Sequence, residues 1–211
     1  MQTRASLVVL LLLACLFGVH HGSPLPQEVL PRPQENFELE KLLGFWYEVA
    51  VVATCPYYMQ AQKDNPAIVK FELYNSTEDN VVQMRGTVPS PGTCKQISVD
   101  FHLTNQSGHF YHHFDEFNAD VETYVVQTNY NEYVIWVILS TEQPSGIKTT
   151  LVKLYSRAMN VREGVLTKYK ALVRTQGMSE DVIIFKDNKG ECDQINAPRP
   201  VDAVCLMPNG G

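Results

Sequence analysis

Two stretches of this chain carry side chains that could do more than hold a fold. The first is Thr54-Cys55-Pro56, a cysteine at the end of an apolar run. A thiolate there can reduce oxidants, couple to radicals or ligate iron, provided it is exposed and partly ionised. The second is "HFYHHF", residues 109–114, where alternation puts His109, Tyr111 and His113 on one face of a strand and Phe110, His112 and Phe114 on the other. Imidazoles lining a cavity could ligate haem iron or a divalent metal. The plainer reading is hydrogen-bonded pocket lining, because a metal site wants three or four converging ligands and this spacing does not promise them. No Ser/His/Asp set, phosphate-cradling glycine loop or paired carboxylate stands in a context that supports conventional catalysis. Two function classes follow: a binding protein for a small apolar molecule, and a thiol-dependent reductase or isomerase-like enzyme working through Cys55.

Which class applies depends on the compartment. Met1–Arg4 is short and positively charged, residues 5–19 are almost unbroken Leu, Val and Ala, and small residues follow at Gly22 and Ser23. That pattern predicts a secretory signal peptide over 1–22. The run is too short to span a membrane, which takes about 20 apolar residues. Export leaves Cys55, Cys94, Cys192 and Cys205, of the chain's five cysteines, where disulfides persist. Four cysteines allow three pairings, and the spacing does not choose among them. Sequons at Asn75 and Asn105 sit in polar, turn-like stretches and agree with export. Seventeen basic side chains face 23 acidic ones with no Lys/Arg stripe, so nucleic-acid binding has no electrostatic footprint.

The elements that must position these residues are mostly strands. Segments rich in Val, Ile, Tyr, Phe and Thr lie at 45–54, 67–74, 80–88, 95–104, 109–115, 121–128, 133–140 and 149–156, separated by Asn, Gly and Pro clusters. From Asn160, read as an N-cap, Val161, Val165, Tyr169, Leu172 and Val173 recur at helical spacing until Gly177. A short strand at 182–185 and an irregular tail follow. Eight consecutive antiparallel strands can close on themselves, so the predicted fold is all-β: an eight-stranded antiparallel up-and-down barrel with one C-terminal α-helix packed outside. An immunoglobulin-like sandwich would want a Cys…Trp…Cys frame, and neither Trp46 nor Trp136 is placed for it. The predicted organisation is a signal peptide (1–22), a flexible N-terminal arm (23–36), a barrel domain (37–192) and a C-terminal tail (193–211).

Gly44-x-Trp46 on the first strand, Thr128-Asn129-Tyr130 after the sixth and Arg157 past the eighth together resemble the three signature regions of the lipocalins. The resemblance covers essentially the whole chain after the leader. It implies that Trp46 plugs the closed end of the barrel with the Arg157 guanidinium across its ring, a contact of about 1–2 kcal/mol when sheltered. Gly44 would leave room for residues 37–43 to cross that end, and Asn129 stands where the family has an acidic residue. The family implies carriage of a small hydrophobic molecule, such as haem, a retinoid or an oxidised heterocycle, with no obligatory cofactor.

The stretches "ENFELEKLLGFWYEVAVVATCP", "VETYVVQTNYNEYVI" and "VKLYSRA", with a later "GEC", are similar to a branch of the family that binds haem and scavenges radicals in plasma. This likeness implies an unpaired reductant cysteine at the rim, here Cys55, and a structural Cys94–Cys192 pair contributing about 4 kcal/mol. It also implies interior lysines that trap oxidation products. Only Lys153 carries over; His113 and Ser140 stand at the other two positions. The match of His113 to an interior lysine points His109, Tyr111 and His113 inward, so the candidate ligand contacts are Cys55, His109, Tyr111, His113 and Lys153. Cys205 has no counterpart in the likeness, and three fates for Cys55 stay open: free, bridged to Cys205, or joined to another plasma protein. The branch usually continues into tandem Kunitz modules, whose cysteine frame this sequence lacks, so no protease inhibition is expected. The remaining expectations are a monomer with no bound metal and no membrane insertion.

Overall fold

The computed structural model describes residues 30–90 and 93–188, with side chains for all of these except 88–90 and 93–95. The chain divides into two compact units, Met1–Leu30 and Pro31–Gly211, and the second carries the structure described below. The signal peptide, the Cys94–Cys192 pair and the tail beyond 192 lie outside the described residues.

Residues 39–42 form a single helical turn, α1 (Leu39–Leu42), and β1 (Gly44–Ala53) follows at once. The other strands are β2 (Val69–Asn75), β3 (Val81–Ser90), β4 (Thr93–Leu103), β5 (His109–Phe114), β6 (Ala119–Thr128), β7 (Tyr133–Glu142) and β8 (Lys148–Ser156). Each pairs antiparallel with the next, and β1 pairs with both β2 and β8, so the sheet closes into the expected up-and-down barrel. Closure removes the exposed edges an open sheet would carry.

β1 is shared by three partners. Its first half, Gly44–Glu48, pairs with β2. Where β2 diverges, β9 (Ile184–Phe185) takes over opposite Ala50 and Val51. The pairing with β8 slips between Glu48 and Ala50, which leaves Val49 as an extra residue. Its carbonyl accepts the Lys186 backbone N–H at 2.9 Å, so the bulge anchors the returning chain.

The long helix α3 (Glu163–Thr175) begins after Arg162, which holds the extended N-cap backbone; the expected cap at Asn160 is two residues early. Val165, Tyr169 and Val173, at four-residue spacing, bury one face of this helix. The Tyr169 hydroxyl donates to the Val152 carbonyl at 2.8 Å and fastens the helix to the outside of β8. Gly177 terminates the segment with φ +73°, a left-handed conformation open to glycine.

A second helix, α2 (Pro56–Asp64), is absent from the strand pattern read in the sequence. Pro56 occupies its first turn, where a missing N–H costs nothing, and Cys55 caps it. It lies at the end of β1 and so marks the barrel's mouth. Ahead of α1, Gln34 donates its backbone N–H to Val125 O at 2.8 Å, and its side-chain Oε1 accepts from Thr128 N at 2.6 Å.

Candidate functional site

The closed end is built by the residues that carried the resemblance. Arg157 places its guanidinium carbon 3.7 Å from the Trp46 ring centroid. Its nitrogens donate to the carbonyls of Phe45 (2.9 Å), Leu43 (3.0 Å), Tyr130 (3.0 Å) and Lys41 (3.2 Å). The Trp46 indole N–H donates to Leu42 O at 2.7 Å. Gly44 has φ +98°, and a Cβ there would stand 3.3 Å from Arg157 Nη1, so glycine serves both the backbone and the guanidinium. Thr128 accepts Tyr130 N at 2.8 Å and donates to Tyr133 O at 2.7 Å. Asn129 Oδ1 accepts from the backbones of Glu132 and Tyr133, as an acidic residue would, which explains why the substitution leaves the turn intact.

Above this plug the interior is aromatic. Phe101 meets Phe110, His112 and Trp136 edge-on with centroids 5.2–6.0 Å apart, and Trp136 lies 4.8 Å from Tyr155. A void of about 10 Å³ remains among Leu39, Leu42, Leu73, Val82, Phe101, Phe110 and Trp136, room for about one water. A separate hollow of about 470 Å³, bounded in part by Phe45, Tyr47, Lys70, Glu72 and Arg85, follows the outward side chains of β1–β3 and is a surface groove.

This packing overturns the expected phase of β5. Phe110 and His112 face inward against Phe101, whereas His109, Tyr111 and His113 face out. Outside, His113 Nδ1 lies 2.9 Å from Asp120 Oδ1, which also accepts the Tyr111 hydroxyl at 2.8 Å. The bond from His113, and next that from Tyr111, holds the Asp120 carboxyl below its ordinary pKa. His109 lies flat on Tyr124 at 4.2 Å. These three residues therefore do not line the interior. The physical reason is burial: Phe110 and Phe114 gain more from the core than the alternate set would and carry His112 in with them, while Tyr111 and His113 keep Asp120 as a polar partner outside. Among the described residues no three of His, Cys, Asp and Glu gather as a metal site.

Lys153 does point inward, opposite Trp136 and Val51. Its Nζ is 3.1 Å from Glu48, and the buried Lys186 Nζ is 3.3 Å from the same carboxylate and also bonds Gln62. Sequence reasoning missed Glu48, although an acid inside the apolar run "FWYEVAVV" was a visible signal. Lys186 and Gln62 gave none, since only tertiary structure brings them to β1. Ser140 is buried on β7. Cys55 is 2 % exposed and disulfide-bonded, and it is the one cysteine whose side chain is described. Of its three open fates the free thiol is thereby set aside. A bonded, buried sulfur is not a nucleophile, so the reductase or isomerase reading loses its reactive group.

A profile of the "Lipocalin / cytosolic fatty-acid binding protein family" matches residues 43–190. Protein AMBP of Pleuronectes platessa, the alpha-1-microglobulin/bikunin precursor, is 44% identical over 192 residues, 91% of this chain and 53% of that protein. Protein AMBP of Mus musculus is 34% identical over 87% of this chain and 51% of its own length. The chain thus spans about half the length of these curated relatives. Among solved structures, the siderocalin Ex-FABP superposes with a TM-score of 0.58 at 19% identity, covering 71% of this chain and 96% of that one, a likeness of fold. With the closed barrel, its Trp46–Arg157 plug and the match over 43–190, the chain belongs to the lipocalin family, whose members bind and transport ligands.

Proposed function

We propose that this lipocalin is an exported carrier of a small, largely apolar ring compound held in the mouth-side half of the barrel. The observation that carries the reading is the closed barrel itself, plugged at one end by Trp46 and Arg157 and walled inside by the rings of Phe101, Phe110 and Trp136. Apolar burial with a few polar anchors is how such cavities hold ligands, and the inward Lys153–Glu48 pair is one such anchor. Of the ligand classes implied by the lipocalin resemblance, a retinoid or an oxidised heterocycle fits better than haem. His109 and His113, the proposed iron contacts, face outward, Cys55 is bonded, and the inward imidazole of β5, His112, is packed edge-on against Phe101. Oxidant scavenging through Cys55 is disfavoured for the same reason. Export is supported by the predicted leader and by the two sequons.

Native mass spectrometry of the protein from its natural source, non-reduced and deglycosylated, tests this reading. The expected spectrum shows a non-covalent small-molecule adduct on a chain trimmed near residue 22. A protein that carries no adduct and binds no apolar probe would sink it.

A further inference from the structure

Inside the barrel three buried polar side chains have no hydrogen-bond partner among the described residues: both ring nitrogens of His112, the Thr123 hydroxyl and the Trp136 indole N–H. Their residues are 7%, 1% and 3% exposed. Buried polar groups are almost always bonded, and one left unmade is costly. This barrel satisfies others of the same kind, since Trp46 Nε1 and the Tyr169 hydroxyl both reach carbonyls. The three orphans also lie together. They stand on the adjacent strands β5, β6 and β7, and the register sets Thr123 one inward step from the row His112–Val121–Ser140 and one from the pair Val125–Trp136. Diagonal neighbours of this kind lie within about 8 Å. The Phe101 ring touches both His112, at 5.2 Å, and Trp136, at 5.7 Å, so an aromatic wall links them.

We propose that His112, Thr123 and Trp136 form the recognition subsite of the cavity, and that its ligand is a flat aromatic molecule bearing a polar heteroatom: a phenol or an oxygen- or nitrogen-substituted heterocycle. This rests on the reading of the barrel as a carrier. The indole only donates, so the ligand must present an acceptor; the hydroxyl and a neutral imidazole each donate and accept, so a ligand O–H or N–H is also matched. The ring of the ligand packs on Phe101 and its neighbours. A bare hydrocarbon would leave all three groups unbonded, and sites built to hydrogen-bond a ligand reject analogues that cannot.

The test uses the secreted full chain with two probes of nearly equal shape, 2-naphthol and naphthalene. Naphthalene is the more apolar, so burial alone favours it. The subsite reverses that order, and 2-naphthol is expected to bind at least about tenfold more tightly. In the ¹⁵N–¹H spectrum the Trp136 indole resonance should move on adding 2-naphthol. The Trp46 resonance, already bonded to Leu42 O, should stay. His112→Phe with Thr123→Val should bring the two affinities within about twofold while melting near the parent temperature. If the double variant does not fold, the indole shifts of the parent protein decide alone. Equal binding of the two probes, or a stationary Trp136 signal, overturns the subsite. If neither naphthalene nor naphthol binds but retinol does, the subsite falls and the carrier stands. If no probe binds, the carrier reading falls as well.

Discussion

Arg157 satisfies carbonyls from two separate segments, residues 41–45 and Tyr130, and covers the ring face of Trp46 with one planar group. No other side chain offers five donors in a rigid fork beside a delocalised cation. Removing it leaves those carbonyls to water at best and uncovers the indole. Arg157→Ala is therefore expected to cost about 2–4 kcal/mol, read as the shift of the urea midpoint at constant slope. Arg157→Lys should fall between, because an ammonium keeps the charge but cannot reach the same carbonyls together. A lysine variant as stable as the parent would mean that charge alone matters at the plug. This trio was legible in the sequence because each member is demanded by type: Gly44 by a positive φ, Trp46 by its ring, Arg157 by its fork. Glu48, Lys186 and Gln62 were not legible as a group, since nothing in local spacing announces a contact between residues so far apart in the chain.

At the scale of elements, the eight strands and the outer helix could be read from periodicity, because alternation and 3.6-residue spacing are local properties. What alternation cannot supply is phase. A shift of one residue exchanges the two faces of a strand, and in β5 the likeness of His113 to an interior lysine pointed the wrong way. The residues themselves held the answer: Phe110 and Phe114 share a face with His112, and aromatic burial fixes that face inward. The helix α2 escaped for a different reason, being short and almost without an apolar stripe. The phase of β5 has a measurable consequence. Burial pushes the His112 pKa down to about 4, helped by His102 and His113 as they charge. The unfolded chain takes up its proton near pH 6.5. Between those values the unfolded state binds more protons than the folded one, so stability rises with pH; the native state is fully favoured above pH 6.5 and weakens as pH falls toward 4. At pH 5 the loss should be about 2 kcal/mol relative to pH 8. Urea melts of the parent and of His112→Phe across that window read this part as the difference between their two pH slopes. A pH slope unchanged by the substitution would place His112 in water, and β5 in the other phase.

The barrel as a whole has two unlike ends. The closed end carries the Trp46–Arg157 plug, and both sequons belong to it: Asn75 ends β2 and Asn105 sits in the β4–β5 turn, each exposed. Glycans there would lie a full strand length from the mouth, about 25 Å for eight residues, and would leave ligand entry open. The mouth is organised by α2 and by Cys55, which follows β1 by two residues, caps α2 and accepts the Tyr58 N–H at 3.4 Å. Thiol chemistry at this position would need an exposed, ionised sulfur, whereas the sulfur is buried and already bonded. Its bond therefore ties the entrance instead of arming it. Alkylation of the secreted protein with iodoacetamide before reduction is expected to leave Cys55 unlabelled in peptide maps, and labelling should appear only after a reductant is added. Cys55→Ser should then lower stability by about 2–4 kcal/mol, the usual contribution of such a bridge. Because the lost tie borders the entrance and not the plug, it should speed ligand release more than it weakens the closed end, which amide exchange in β1 and α2 would resolve. Full labelling of Cys55 without reductant would restore a reactive thiol to the mouth and return oxidant chemistry to consideration.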